Sequence, residues 1–280
     1  MMRNSIRCVV DGVDFDDLEM PFNENIGAFL TQVRHMSGMK IPELMALLSV
    51  SKKTYLDMEK GCRQYRMHVL VWWCFVMGLS PLHLLAQSGY FSHLPIGDYR
   101  NIRQIKLALL LHRISPEQCL QALGELIDRC PRTIQRDVDP SLVVSCKELV
   151  SLRSFFFSKE YYQMVARGLK GFQQDNGLTS DQLARFLGVT TRTLRRMFNA
   201  HGSLNYNYYA RFYLSSGVYP LRIVEDGPYM KTRLKMEQRF FLVNELIAGF
   251  GSSPDFLDSQ LERLAQLPPN PHWKALFKRP

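Results

Sequence analysis

Five neighbouring side chains have the chemistry to read a nucleic acid: Thr190, Thr191, Arg192, Arg195 and Arg196. At about 100° per residue on a helix, Thr191, Arg192, Arg195 and Arg196 fall in one arc. Leu194, Met197 and Phe198 fall on the opposite side. Arginine presents a planar fork that pairs with guanine O6 and N7, and its charge also neutralises phosphate. Threonines at a helix start suit a backbone phosphate or a thymine methyl. A second set is Ser51, Lys52, Lys53, Leu56 and Asp57, outward on a segment whose inner positions are Tyr55 and Met58. Phosphate repels Asp57, but the cytosine amino group donates to such a carboxylate. A third set is Arg132, Thr133, Gln135 and Arg136. Pro131 suits the first position of a helix there, and Arg132, Gln135 and Arg136 then share one face.

Other chemistries lack their residues. The seven histidines (His35, His68, His83, His93, His112, His201, His272) are scattered and match no ligand motif. The six cysteines (Cys8, Cys62, Cys74, Cys119, Cys130, Cys146) show no metal-ligand spacing, so neither zinc nor disulfides are expected. There is no phosphate-binding loop and no dinucleotide fingerprint. No enzyme, metal or cofactor is expected. The longest apolar run, Val69 to Leu79, is too short to span a membrane, and no secretory leader is evident. The formal net charge is +9. The stretch from Val9 to Asn25 holds six acids and no Lys or Arg, which leaves about +15 for the remainder. A basic chain of this kind suits a polyanionic partner.

The elements that must position these residues read as helices. Apolar periodicity and caps predict helices over 26–36, 41–48, 51–60, 66–77 and 81–87, with Ser80 and Pro81 opening the last. A helical block follows over 98–145. Further helices are expected over 156–174, 180–187, 190–199, 205–215, 233–249 and 254–266. Residues 216–232 read as a linker or small hairpin and 268–280 as a tail. Residues 1–24 read as an acidic arm with a short β-hairpin, Ile6 to Val10 and Val13 to Phe15 around Asp11-Gly12. At a spacing of 139 residues, Gly38/Gly177, Leu44/Leu183, Leu48/Leu187, Val50/Val189, Thr54/Thr193 and Met58/Met197 are identical. Duplication and shared packing needs both account for that match.

The run Glu43 to Ser51, continued by Lys52 to Gly61, with Arg34 upstream and Gly78-Leu79-Ser80 downstream, resembles the phage repressor/Cro-type (XRE) helix-turn-helix family over 25–89. It departs from that pattern at Ile41, where the family commonly has glutamine, and at Met45, where it has alanine. Leu178-Thr179, Leu183-Ala184, Leu187-Gly188-Val189, Leu194 to Phe198, Gly202, Tyr209, Arg211 and Leu214 resemble an AraC-type helix-turn-helix over 160–216. Arg132 to Asp137 resembles, more weakly, the recognition half of a DeoR-type unit within 98–140. The resemblances imply a sequence-specific regulator that docks on phosphates and reads bases through recognition helices.

The expected fold is mainly α, several small helix-turn-helix bundles in tandem with a short N-terminal β-hairpin or arm. The expected divisions are 1–24, the acidic arm; 25–95, a Cro-type domain; 96–155, a second helix-turn-helix-like domain; 156–216, an AraC-like domain; and 217–280, linker and C-terminal helices. The expected partner is double-stranded DNA, with RNA polymerase or another regulator as protein partners, in a bacterial or phage-infected cytoplasm. Homo-oligomers are allowed through an apolar stripe at Phe240, Phe241, Val243, Leu246 and Ile247. The alternative, motivated by Ile41, Met45, Leu56 and Asp57, is a protein-interaction module or a DNA-processing accessory factor.

Overall fold

The computed structural model describes residues 9–10, 13–88, 101–134, 138–201, 204–217 and 228–277. Among these, the chain is mainly helical. Helices α1 (Phe15–Ser37), α2 (Ile41–Leu48), α3 (Lys52–Glu59), α4 (Met67–Met77) and α5 (Pro81–Gln87) come first. They are followed by α6 (Ile102–Arg113), α7 (Pro116–Asp128) and α8 (Cys146–Phe156). Next come α9 (Lys159–Asp175), α10 (Ser180–Leu187), α11 (Thr191–Phe198) and α12 (Tyr206–Ser216). Helices α13 (Pro228–Gly249) and α14 (Pro254–Gln266) complete the order. No single helix among the described residues is long and apolar enough to cross a membrane, and α4 is buried along its whole length.

Two apolar clusters organise these helices. The first joins α1 to α5 with α8 to α12, so the two pairs expected in separate bundles share one core. Trp72, Trp73, Tyr55, Tyr206 and Tyr209 lie at its centre. The second joins α7, α13 and α14. Helix α6 feeds both: Ile105, Ala108 and Leu109 face the first cluster, and Leu107, Leu110 and Leu111 the second. An eleven-residue apolar helix such as α4 has no polar stripe to offer water, so it is driven to the middle of the larger core.

Four sequence expectations are corrected. The N-terminal β-hairpin is not supported as an element: among the described residues a two-residue ladder, Val9–Val10 against Val13–Asp14, is all that precedes α1. From Phe15 onward the described part of the expected arm is helix. The stripe Phe22, Ile26, Phe29, Leu30, Val33 is continuous and buried, so the helix begins ahead of Pro21 and not after it. The stretch after α7 is not a recognition helix either, for residues 131–134 are non-helical. Pro131 disfavours helical backbone at the residue before it, and Cys130, Ile134 and Val138 are drawn onto the second cluster. The tail is structured: a 3-10 turn over Pro271–Phe277 buries Leu276. Its carbonyl accepts from Arg153 Nη1 at 3.0 Å. Finally, the stripe offered as an oligomer interface is largely core. Phe240, Val243 and Leu246 are buried, and Phe241 is exposed.

Candidate nucleic-acid interface

Helices α10 and α11 meet through a three-residue turn whose geometry follows from its residues. Gly188 adopts φ +61°, a left-handed conformation that costs glycine nothing. The Val189 N–H donates back to the Ala184 carbonyl at 2.9 Å, closing the end of α10. Thr190 then caps α11, its Oγ1 accepting from Thr193 N at 3.1 Å. From the other side, the Arg211 guanidinium donates to the Gly188 carbonyl at 3.2 Å. Leu194 and Met197 are buried against the core, which leaves Arg192, Arg195 and Arg196 fully outward. None of these three makes an ion pair among the described residues. Three neighbouring guanidinium groups without a carboxylate repel one another, a cost that a polyanion would relieve. Lys170 of α9 is exposed, its Nζ 5.5 Å from the centre of the Phe198 ring.

Helices α2 and α3 repeat this construction. Ser49 takes φ +52° where the other copy has glycine, and the Val50 N–H donates to Met45 O at 3.1 Å. Ser51 Oγ accepts from Thr54 N at 3.1 Å and donates to Thr54 Oγ1 at 2.9 Å. The end of α2 is held by Arg153, whose Nη2 donates to Ala46 O at 2.7 Å and to Ser49 Oγ at 3.2 Å. Burial pushes the Arg153 guanidinium below its ordinary pKa. The middle and end of α3 are fixed as well. Tyr55 and Met58 are buried, the Tyr55 hydroxyl donates to Glu59 Oε1 at 2.7 Å, and Arg34 Nε donates to the same oxygen at 2.6 Å. The Glu59 carboxylate holds the Arg34 pKa above its ordinary value, while burial, then Glu59, pushes the Tyr55 hydroxyl up.

The predicted site residues therefore divide. Thr191, Arg192, Arg195 and Arg196 share the outer face of α11 as expected, and Lys52 and Lys53 are exposed on α3. Leu56 and Asp57 are only half-exposed. The hydroxyls of Ser51 and Thr190 each accept a capping N–H and share a bond with the hydroxyl of Thr54 or Thr193, which leaves each with capacity for one more hydrogen bond. Arg132 and Thr133 are exposed but on no helix, and Gln135 and Arg136 lie outside the described residues. Sequence reasoning missed Lys170, Arg63 and Arg66, all exposed. The two arginines sit on the segment after α3, beside a surface cleft of about 280 Å³ that also borders Ser51, Thr54 and Gln64. Periodicity within one helix carries no signal for side chains that converge from different elements.

Among the described residues no three of His, Cys, Asp or Glu gather in one place. Comparison with protein families, with curated proteins and with solved structures finds no match to this chain.

Proposed function

We propose that this protein is a sequence-specific regulator of transcription that reads double-stranded DNA in the major groove, chiefly through α11. The observation that carries the reading is the outer face of that helix. It is a capped, core-anchored, eight-residue helix with three exposed arginines and, among the described residues, no carboxylate paired to them. Lys170 adds a positive charge near Phe198, the last residue of that helix. Guanidinium groups on such a face bind phosphate regardless of sequence and guanine edges with preference. The place of work would be the nucleoid in a bacterial cytoplasm, with RNA polymerase or another regulator as neighbours.

The test is capture of host genomic DNA by the tagged full chain, beside an Arg192/Arg195/Arg196 triple-alanine variant. The expected result is a compact set of sites sharing a motif, lost in the variant. Single Arg192→Ala or Arg195→Ala changes then cost about 1–3 kcal/mol each on the preferred sequence and less on others. Diffuse capture that survives the triple variant would replace this reading with the protein-interaction one.

A further inference from the structure

The two helical pairs are not merely similar; they face each other across an axis. Every described residue with a left-handed backbone has a partner 139 positions away: Gly38 and Gly177, Ser49 and Gly188, Gly61 and Ala200, Gly78 and Gly217. The helix limits obey the same spacing, α2 onto α10, α3 onto α11 and α4 onto α12. So do the helix starts. Lys40 N donates to Glu43 Oε2 at 2.7 Å, and Thr179 N donates to Gln182 Oε1 at 2.8 Å. The ends of α3 and α11 match too: Cys62 N bonds Asp57 O and His201 N bonds Arg196 O.

The copies touch through equivalent residues. Arg66 and Asn205, themselves 139 apart, form an antiparallel bridge. Its two hydrogen bonds are Met67 N to Leu204 O at 2.9 Å and Tyr206 N to Tyr65 O at 2.8 Å. Exchanging each residue for its counterpart turns one bond into the other. A second pair of contacts behaves alike. Asn207 Nδ2 donates to Asn23 Oδ1 at 3.4 Å, and their counterparts His68 and Tyr162 lie 3.0 Å apart, Nδ1 to hydroxyl. Contacts that interchange in this way require a local twofold axis, which runs between Arg66 and Asn205. That is the symmetry of an isologous dimer, built here inside one chain.

From this dyad we infer that a single chain takes an inverted-repeat DNA site, α3 on one half and α11 on the other; the inference rests on the DNA-reading function proposed above. Two helices related by a twofold axis run in opposite senses along a duplex, as half-sites of a palindrome do. The first turn of α3 and the dyad segment line one cleft, through Ser51 and Thr54 on one side and Arg63 and Arg66 on the other. Recognition helix and axis thus share a face, and the two exposed arginines lie where the central phosphates would pass. The halves of the site are unequal, because equivalent outward positions hold different residues. Lys53 stands opposite Arg192, Leu56 opposite Arg195 and Asp57 opposite Arg196. The α11 half suits guanine, whereas the α3 half suits a cytosine amino group and a thymine methyl.

The experiment is selection of duplexes from a random pool by the full chain, then sedimentation of the complex with the enriched duplex. Two blocks of opposite polarity, roughly one helical turn apart (on the order of 10 base pairs), are expected with one chain per duplex. Lys52→Ala/Lys53→Ala should weaken binding about tenfold or more when the first block is present and by less when that block is randomised. Arg192→Ala/Arg195→Ala should do the same for the second block. Two chains per duplex, one block only, or two blocks in the same orientation would overturn the inference while leaving DNA reading intact. An unenriched pool would remove the DNA-reading function and this inference with it.

Discussion

Mild acid should destabilise this protein well before its carboxylates titrate. His68 and His83 are buried, and burial pushes both rings down to about 4; Arg66 adds to the effect at His68, and the Ser80 carbonyl opposes it only in part at His83. In the unfolded chain each ring returns to about 6.5. Below that value the unfolded state binds the extra proton, so stability is fully present above pH 6.5 and is lost as pH falls toward 4. A pH of 5 lies about 1.5 units below the unfolded ring's value of 6.5 and still above the folded one. At about 1.4 kcal/mol per unit, that is about 2 kcal/mol each and about 4 kcal/mol for the pair. His112 is displaced in the same direction by burial and by Arg239, whose Nη2 lies 2.7 Å from its Nδ1. The shifted carboxylates of Glu125, Glu148 and Asp258 are lowered from values near 4, so their loss falls below this window. Urea unfolding followed by circular dichroism at half-unit steps from pH 7.5 to 5 measures the slope. His68→Gln removes one titrating ring while keeping a polar partner for Tyr162, and should flatten the slope by roughly a third to a half. A midpoint that stays constant or rises on acidification would refute the burial argument.

Three further outcomes follow from the turns. Gly188→Ala should destabilise by about 2 kcal/mol or more, because the new methyl enters left-handed backbone and meets the Arg211 guanidinium; thermal melting reads it. Ala200→Gly should stabilise by about 0.5–1 kcal/mol, since its counterpart Gly61 holds the same conformation without strain. A melting temperature unchanged or lowered in that variant would contradict the assignment of strain to Ala200. Arg153→Ala should cost about 2–4 kcal/mol, because it strips donors from the carbonyls of Ala46 and Leu276. Hydrogen exchange should show the loss first in α2 and the turn over Pro271–Phe277.

Much of the helix inventory was legible. The spans 41–48, 81–87, 180–187 and 254–266 are those read from apolar spacing and caps. The outward arc of α11 was legible for the same reason, as the 3.6-residue period places Leu194 and Met197 opposite the arginines. What escaped is what depends on distant partners. Nothing local in Tyr65 or Tyr206 says that they meet, so the sequence pattern suggested separate bundles where one core exists. Pro131 looked like a helix start because its preference for that position is real; the pull of Ile134 and Val138 toward the second apolar cluster overrides it. Ser49 and Ala200 hid the symmetry further, since neither residue advertises a left-handed turn. The identity at six positions 139 apart was the one trace of the dyad, and it became decisive only when hydrogen bonds were found to exchange along with it.

The bridge between Arg66 and Asn205 has a consequence for assembly. Each half of the chain carries a surface made for the other half, and a neighbouring molecule carries the same two surfaces. The tether through α6 to α8 keeps the halves at high effective concentration, which favours closure within one chain. Crowded refolding would favour exchange instead: if the early half of one molecule captured the late half of another, a second crossing would close a swapped dimer with both bridges intact. Shortening the tether would push the protein toward that exchanged form, and lengthening it would favour the self-contained one.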